Sequence, residues 1–240
     1  MSLSLSLLSF STSQLSQLLI LIMKNKLITE SRFPLKHFTS VKSCGDMKNG
    51  AQRNSLLRSL ELDAKNIVLM RQVHGNNVHV AGEKDKGGFI EDCDGLITNE
   101  NNIMLGIFTA DCMPVLMASK DKSVKAAVHA GWKGLASGIL QNTIKIFNKK
   151  FKVKAEDIVV YIGPHIRECC YEVGAELGKA FGVRLKNNRL NLSETARKIL
   201  KKEGVKEIHS SRLCTFCGDN LFFSYRRDKT EARILTAINN

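Results

Sequence analysis

Between residues 67 and 118 the chain alternates short apolar runs with Gly, Asn and Asp. Ile67-Val68-Leu69-Met70, Val78-His79-Val80, Gly95-Leu96-Ile97-Thr98, Ile103 to Phe108 and Val115-Leu116-Met117 have strand length and turn-forming flanks, so each predicts a strand. Val124-Lys125-Ala126-Ala127-Val128-His129 follows an Asp121-Lys122 turn and predicts a further strand, paired with Val115–Ala118 as a hairpin. Then the period changes. Leu135, Ile139, Leu140, Thr143, Ile144 and Phe147 fall on one face of a helix. Ile158-Val159-Val160-Tyr161-Ile162 reads as a buried strand stopped by Gly163-Pro164. Glu172 to Phe181 predicts a helix. A second starts near Asn191, with Glu194 as reciprocal cap, and runs through Ala196, Ile199 and Leu200. Ile208 and Ala232–Ile238 close the chain as strands. Strands that first cluster and then alternate with helices predict α/β (α+β) architecture, a layered single domain with a mixed β-sheet flanked by helices.

Composition narrows the class. Of 240 residues 43% are hydrophobic and 25% charged, enough apolar content to offset chain entropy over most of the length. No linker or repeat divides residues 30–240, so residues 23–240 are expected to form one catalytic domain. Residues 1–22 have no charge and end in a short apolar run, with Lys24 and Lys26 only after it. That is neither the layout of a signal peptide nor the length of a membrane span, so residues 1–22 are expected to be an extension outside the core. Lys plus Arg number 36 against 23 Asp plus Glu, a net charge of +13, which attracts anionic partners. The excess is spread along the chain without a nucleic-acid motif; neither nucleic acid nor membrane is an expected partner. Seven cysteines, an odd number in a long Lys-rich chain, point to a reducing cytoplasm rather than a disulfide framework.

Three segments each put a metal-capable side chain at the end of an apolar strand: Arg71-Gln72-Val73-His74-Gly75, Thr109-Ala110-Asp111-Cys112-Met113-Pro114 and Val128-His129-Ala130-Gly131-Trp132. No local metal motif joins them. If the fold brings them together, one thiolate and two imidazoles supply three ligands and leave a fourth tetrahedral position open, as in catalytic zinc sites. Zinc in such a site lowers the pKa of bound water to ~7. Gln72 and Asp111 adjoin ligands and are candidates to orient them. The same residues also allow a cysteine hydrolase or amidase, with Cys112 as nucleophile, His129 as its base and His74 orienting or polarising.

Thr109-Ala110-Asp111-Cys112-Met113-Pro114-Val115, His129-Ala130-Gly131-Trp132-Lys133-Gly134, Ile162-Gly163-Pro164 with Cys170-Tyr171-Glu172-Val173-Gly174, and Cys214-Thr215-Phe216-Cys217 with Leu221-Phe222-Phe223-Ser224-Tyr225-Arg226-Arg227-Asp228 occur in this order. Together they resemble the YfiH-like family, described as multicopper polyphenol oxidase or laccase domain and as purine nucleoside phosphorylase. The resemblance runs from about Ile67 to Ile238. It implies zinc, with copper as the alternative ion, held by the residues matching His74, Cys112 and His129. It also implies phosphorolysis and deamination of adenosine and related attack on inosine or methylthioadenosine, with purine nucleosides and phosphate as partners. A multicopper cluster needs more ligands than one Cys and two His.

Phosphorolysis needs an anion site. Gly131–Gly134 enters a helix whose free amides favour an anion, and Lys133, Arg226 and Arg227 are the candidate substrate-binding cations. Two departures from the family stand out. Where the family carries a Ser-Thr-Arg then Gly-Gly pattern, His37–Gly45 lacks the Arg and is followed quickly by Arg53-Asn54-Ser55-Leu56, so the loop is short, and Lys229 and Glu231 stand where the family tends to have glycines. Cys214-x-x-Cys217 has no second pair nearby and reads as structural thiols, while Cys169 and Cys170, being adjacent, are poorly placed to chelate one ion together. His165 reads as a loop residue, and His37, His79 and His209 carry no signal.

Overall fold

In the computed structural model, which describes residues 27–240, twelve strands assemble into two sheets of six; the expectation for residues 1–22 lies outside the described residues. From edge to edge, the first sheet contains β1 (Leu27–Ile28), β2 (His37–Ser40), β12 (Ile234–Ile238), β7 (Met104–Thr109), β3 (Ile67–Met70) and β5 (Phe89–Ile90). The second contains β11 (Glu207–Ser210), β10 (Ile158–Ile162), β8 (Met113–Ser119), β9 (Lys125–Ala130), β6 (Gly95–Thr98) and β4 (Val78–Val80). Both are mixed. In the first, β3 runs parallel to β7 and β5 while β12 is antiparallel to β2 and β7. In the second, β8 is antiparallel to β9 and β10, with parallel pairs at each edge. The expected hairpin of β8 and β9 is present.

The helices are α1 (Gly50–Ser59), α2 (Trp132–Ala136), α3 (Ile139–Phe151), α4 (Ala175–Phe181), α5 (Leu192–Lys202) and α6 (Tyr225–Asp228). The two sheets pack face to face: Val68, Met70, Leu105 and Ile107 of the first meet Leu96, Leu116, Ala127, Val159 and Tyr161 of the second. Beyond the second sheet, Val115, Met117, Ala126, Val128, Val160 and Ile162 take the apolar faces of α3 and α5. Beyond the first, Ile67, Leu69, Met104 and Leu235 are covered by Leu56 and Leu57 of α1. The result is four layers, helix, sheet, sheet, helix. The layered α/β domain with mixed β-sheet flanked by helices is as the sequence predicts, with two stacked sheets where a single one was expected. Every residue of β7, β8, β9 and β10 is buried, and an apolar run covered on both faces does not reveal whether helix or sheet covers it.

Local differences also have physical causes. The face Leu135–Phe147 belongs to two helices, because Gly138 at φ 91° breaks the chain between α2 and α3. Asn191 caps α5 by accepting from the Glu194 amide at 2.9 Å. No reciprocal bond returns: the Glu194 carboxylate lies 3.9 Å from Arg197 Nε. Helix α1, absent from the sequence reading, buries only Leu56 and Leu57 and starts at an Asn49 cap. Among the described residues no helix is long and apolar enough to cross a membrane.

This topology gathers the three singled-out segments. Because β3 and β7 are parallel, both end at the same edge, and their continuations cross from the first sheet into the second as residues 71–77 and 110–112. In the second sheet Met113 pairs with Ala130 and Pro114 with His129, so the start of β8 meets the end of β9 there. The core that fixes this edge is testable away from it. Phe147, fully buried between α3 and the second sheet, is predicted on truncation (Phe147→Ala) to lose about 3–5 kcal/mol in urea unfolding, with metal binding at the edge unchanged under native conditions.

Candidate metal centre

His74, Cys112 and His129 converge at the seam between the sheets, their ligand atoms all within 4.8 Å of one another. Cys112 Sγ lies 3.9 Å from His74 Nε2, and the two imidazoles meet edge to face with centroids 4.8 Å apart. Both crossings bend sharply there. His74 has φ 60° and Asp111 has φ 88°, left-handed conformations that non-glycine residues rarely hold without support. Gly131 makes room: a Cβ at that position would stand 3.1 Å from both Cys112 Sγ and His74 Cδ2.

Asp94 supplies the support at His74. Its fully buried carboxylate accepts the amides of Val73 (3.1 Å), His74 (3.0 Å) and Gly75 (2.7 Å). It also accepts His129 Nδ1 at 2.7 Å, which turns the other ring nitrogen of His129 toward Cys112, a carboxylate–histidine–metal arrangement. Burial raises the Asp94 carboxyl, but His129 and the amides outweigh it and hold the pKa below its ordinary value. Asp111 plays the matching part for the second crossing, accepting Thr215 Oγ1 (2.7 Å), Ser224 Oγ (3.0 Å) and the Arg226 amide (2.7 Å).

Electrostatics favour the ionised ligand set. Burial works against the Cys112 thiolate, yet His129 and His74 bring its pKa down to about 6. Burial likewise opposes the His129 imidazolium, while Cys112 and Asp94 raise it to about 9. Without a metal the pair is a thiolate–imidazolium couple. One thiolate and two imidazoles of this spacing, one of them oriented by a carboxylate, are a donor set that could hold a divalent metal ion. All three residues line a cleft of about 700 Å³.

Residues 25–239 match the family described as multi-copper polyphenol oxidoreductase laccase. The chain belongs to that family. A relative in Clostridium acetobutylicum, named purine nucleoside phosphorylase, is 35% identical over 87% of this chain and 92% of its own length. The Escherichia coli K12 relative, named purine nucleoside phosphorylase YfiH, is 32% identical over 81% of this chain and 83% of its own. Among solved structures, YlmD of Geobacillus stearothermophilus superposes with a TM-score of 0.81 at 25% identity, covering 90% of this chain and 99% of that one. YfiH of Bacillus licheniformis gives 0.83 at 24% identity, covering 91% and 97%, which bears on the fold.

Among the candidate cations in this family member, Arg226 reaches the cleft, its guanidinium 5.3 Å over the Tyr171 ring and donating to Glu172 O at 2.7 Å. Arg227 does not line it; its guanidinium is taken up by the carbonyls of Thr215, Phe216 and Phe222 and by Asp228. Lys133 also lies outside, its Nζ 5.7 Å over the Trp132 ring. Helix α2 has only five residues, and Gly134 serves close packing instead: a Cβ there would stand 2.7 Å from Gly75 O. Gln72 lines the cleft but exchanges both amide bonds with the Phe108 backbone. Lys229, at φ 53°, holds a conformation that suits glycine, and Glu231 lines the cleft.

Asp94, Lys48, Arg71, Arg233, Phe89 and Tyr171 escaped the sequence reading. Asp94 sits in Cys93-Asp94-Gly95, where Asp-Gly reads as a turn; its role depends on amides some twenty residues upstream. The aromatics and cations come from five separate segments. Cys169 and Cys170, adjacent and read from the sequence as poorly placed to chelate one ion together, lie in a cluster with Cys214 and Cys217 whose sulfurs are all within 4.8 Å of one another.

Two outcomes follow from this geometry. Asp94→Asn is expected to weaken zinc binding about 10–100-fold in chelator competition. In metal-free protein, peptide mapping after iodoacetamide treatment is expected to show Cys112 alkylation rising as pH passes about 6 and levelling off above it, since the thiolate forms on the alkaline side of that value. Zinc should suppress the reaction.

Proposed function

We propose that the protein is a zinc-dependent purine nucleoside phosphorylase with adenosine deaminase activity, taking adenosine, inosine and methylthioadenosine. The observation that carries this reading is the His74–Cys112–His129 centre opening into a cleft that offers both π-faces and cations. Phe89 and Phe108 stack at 6.4 Å on one side, and Tyr171 and Tyr225 line the cleft with Arg71, Arg226 and Arg233. Aromatic faces suit a purine, and guanidinium groups suit phosphate. The names carried by the Clostridium and Escherichia relatives support the same class.

In phosphorolysis a phosphate oxygen attacks C1′ of the ribose, the C1′–N9 bond breaks, and the base leaves with a proton as ribose 1-phosphate forms. The chain's part is to hold the phosphate near its cations, stack the base, and exclude water from C1′. In deamination water adds at C6 and ammonia leaves. His74, Cys112 and His129 would hold a divalent ion, which would supply Lewis acidity beside the cleft. Asp94 fixes the ring of His129 within reach of Cys112. Two imidazoles and one thiolate suit zinc; they fall short of a multicopper cluster. Seven cysteines with no disulfide among the described residues suit the cytoplasm proposed here, with residues 23–240 as the catalytic unit.

A second reading rests on one observation, the line Asp94–His129–Cys112, which has the order of an orienting acid, base and nucleophile in a cysteine hydrolase or amidase. Product analysis separates the two. With adenosine and phosphate, adenine and ribose 1-phosphate are expected, inosine appearing whether or not phosphate is present. Cys112→Ala and His129→Ala should lose zinc and turnover together. Arg226→Ala should raise the KM for phosphate roughly 10- to 150-fold, the equivalent of a charged hydrogen bond of ~1.5–3 kcal/mol. Full activity after chelation, abolished by alkylating Cys112, would establish the hydrolase instead.

A further inference from the structure

Behind one wall of the cleft, four cysteines from two loops meet at a point. Cys169 and Cys170 come from the turn after β10, where the amides of Cys170 and Tyr171 both bond to Arg167 O at 2.8 Å. Cys214 and Cys217 come from a second turn, closed by the Gly218 amide on Cys214 O at 2.9 Å. Cys217 Sγ lies 3.2 Å from Cys170 Sγ and 3.6 Å from Cys169 Sγ, and all four sulfurs are within 4.8 Å of one another. We propose that Cys169, Cys170, Cys214 and Cys217 form a second, structural metal site that takes zinc through four thiolates.

Three features point to an ion. Four sulfurs each ~2.3 Å from a central zinc lie ~3.8 Å apart at the corners of a tetrahedron; the two Cys217 spacings, 3.6 and 3.2 Å, fall about 0.2 and 0.6 Å short of that value, and the 4.8 Å limit on all four accommodates it. Cys169 and Cys217 are exposed, so burial as small hydrophobes does not account for them. Backbone amides are aimed at the cluster, with the Arg167 N–H donating to Cys214 Sγ at 3.4 Å, as suits a thiolate.

The site's consequence lies in what its two loops carry. The first contributes Ile166 and Tyr171 to the cleft, and its Glu172 carbonyl receives Arg226. The second contributes Thr215, which bonds Asp111 beside Cys112. An ion joining the loops fastens the wall that presents Tyr171 and Arg226. The cluster shares no ligand with the His74–Cys112–His129 centre, so neither reading depends on the other.

Metal analysis of the full chain, purified under reducing conditions and dialysed against zinc, tests the proposal. Two zinc per chain are expected, falling to one in Cys170→Ser/Cys217→Ser and to one in His74→Ala. Cobalt(II) added to the wild-type protein gives a readout that needs no variant to fold. A site with four sulfur ligands adds thiolate-to-cobalt charge-transfer absorption several-fold stronger per ion than the single-thiolate centre. One zinc per chain with only the weak cobalt band would overturn the proposal. So would a Cys170–Cys217 disulfide persisting in the reduced preparation.

Discussion

A single buried carboxylate decides whether this edge of the molecule is a site at all. Asp94 ties the β3–β4 crossing to β9: it takes three amides from the first and the ring of His129 from the second. Burying a charge is costly unless every lone pair is used, and here four donors use them. His74 can then hold a left-handed backbone, because the amides on both sides of the bend are tied to one anchor. His129, itself buried, acquires a defined tautomer. The charge of Asp94 therefore serves local folding and ligand chemistry together.

Much of the fold could be read from the sequence because both signals, strand-length apolar runs and a 3.6-residue face, were strong. β3, β4, β6, β7, β8, β9 and β10 all fall where those runs lie, and α3 and α5 follow their apolar faces. The pairing of sheets did not show, since Leu116 facing another sheet and Met117 facing helices look alike in a linear string. Elements that bury little, such as α1, and those too short to show a period, such as the two-residue strands β1 and β5, also stayed silent.

The site divides in the same way. The three side chains that converge, His74, Cys112 and His129, were legible because each combines rare chemistry with a strand end, and the family pattern joined them. What surrounds them was not. Asp94 works through backbone amides, Arg71 and Arg233 are ordinary surface residues until the cleft forms between them, and Arg227 is turned inward by three carbonyls that no spacing announces. The four-cysteine cluster stayed hidden because Cys214-x-x-Cys217 has no second pair nearby in sequence and Cys169 and Cys170 are adjacent; a tight turn at Arg167 brings their sulfurs to the other two.

The position of β12 has a bearing on how the molecule comes into being. This final strand lies inside its sheet, between β2 and β7, and Asn240 meets the buried Lys125 ammonium. During synthesis the first half of the chain emerges with the edge of β7 unpaired, and domains form as their segments leave the ribosome. Pairing on that side must wait for Ile234–Ile238 to emerge, and until then the edge of β7 is exposed. Nascent chains stalled before Ile234 would leave that edge open to chaperones and to aggregation, whatever their metal supply.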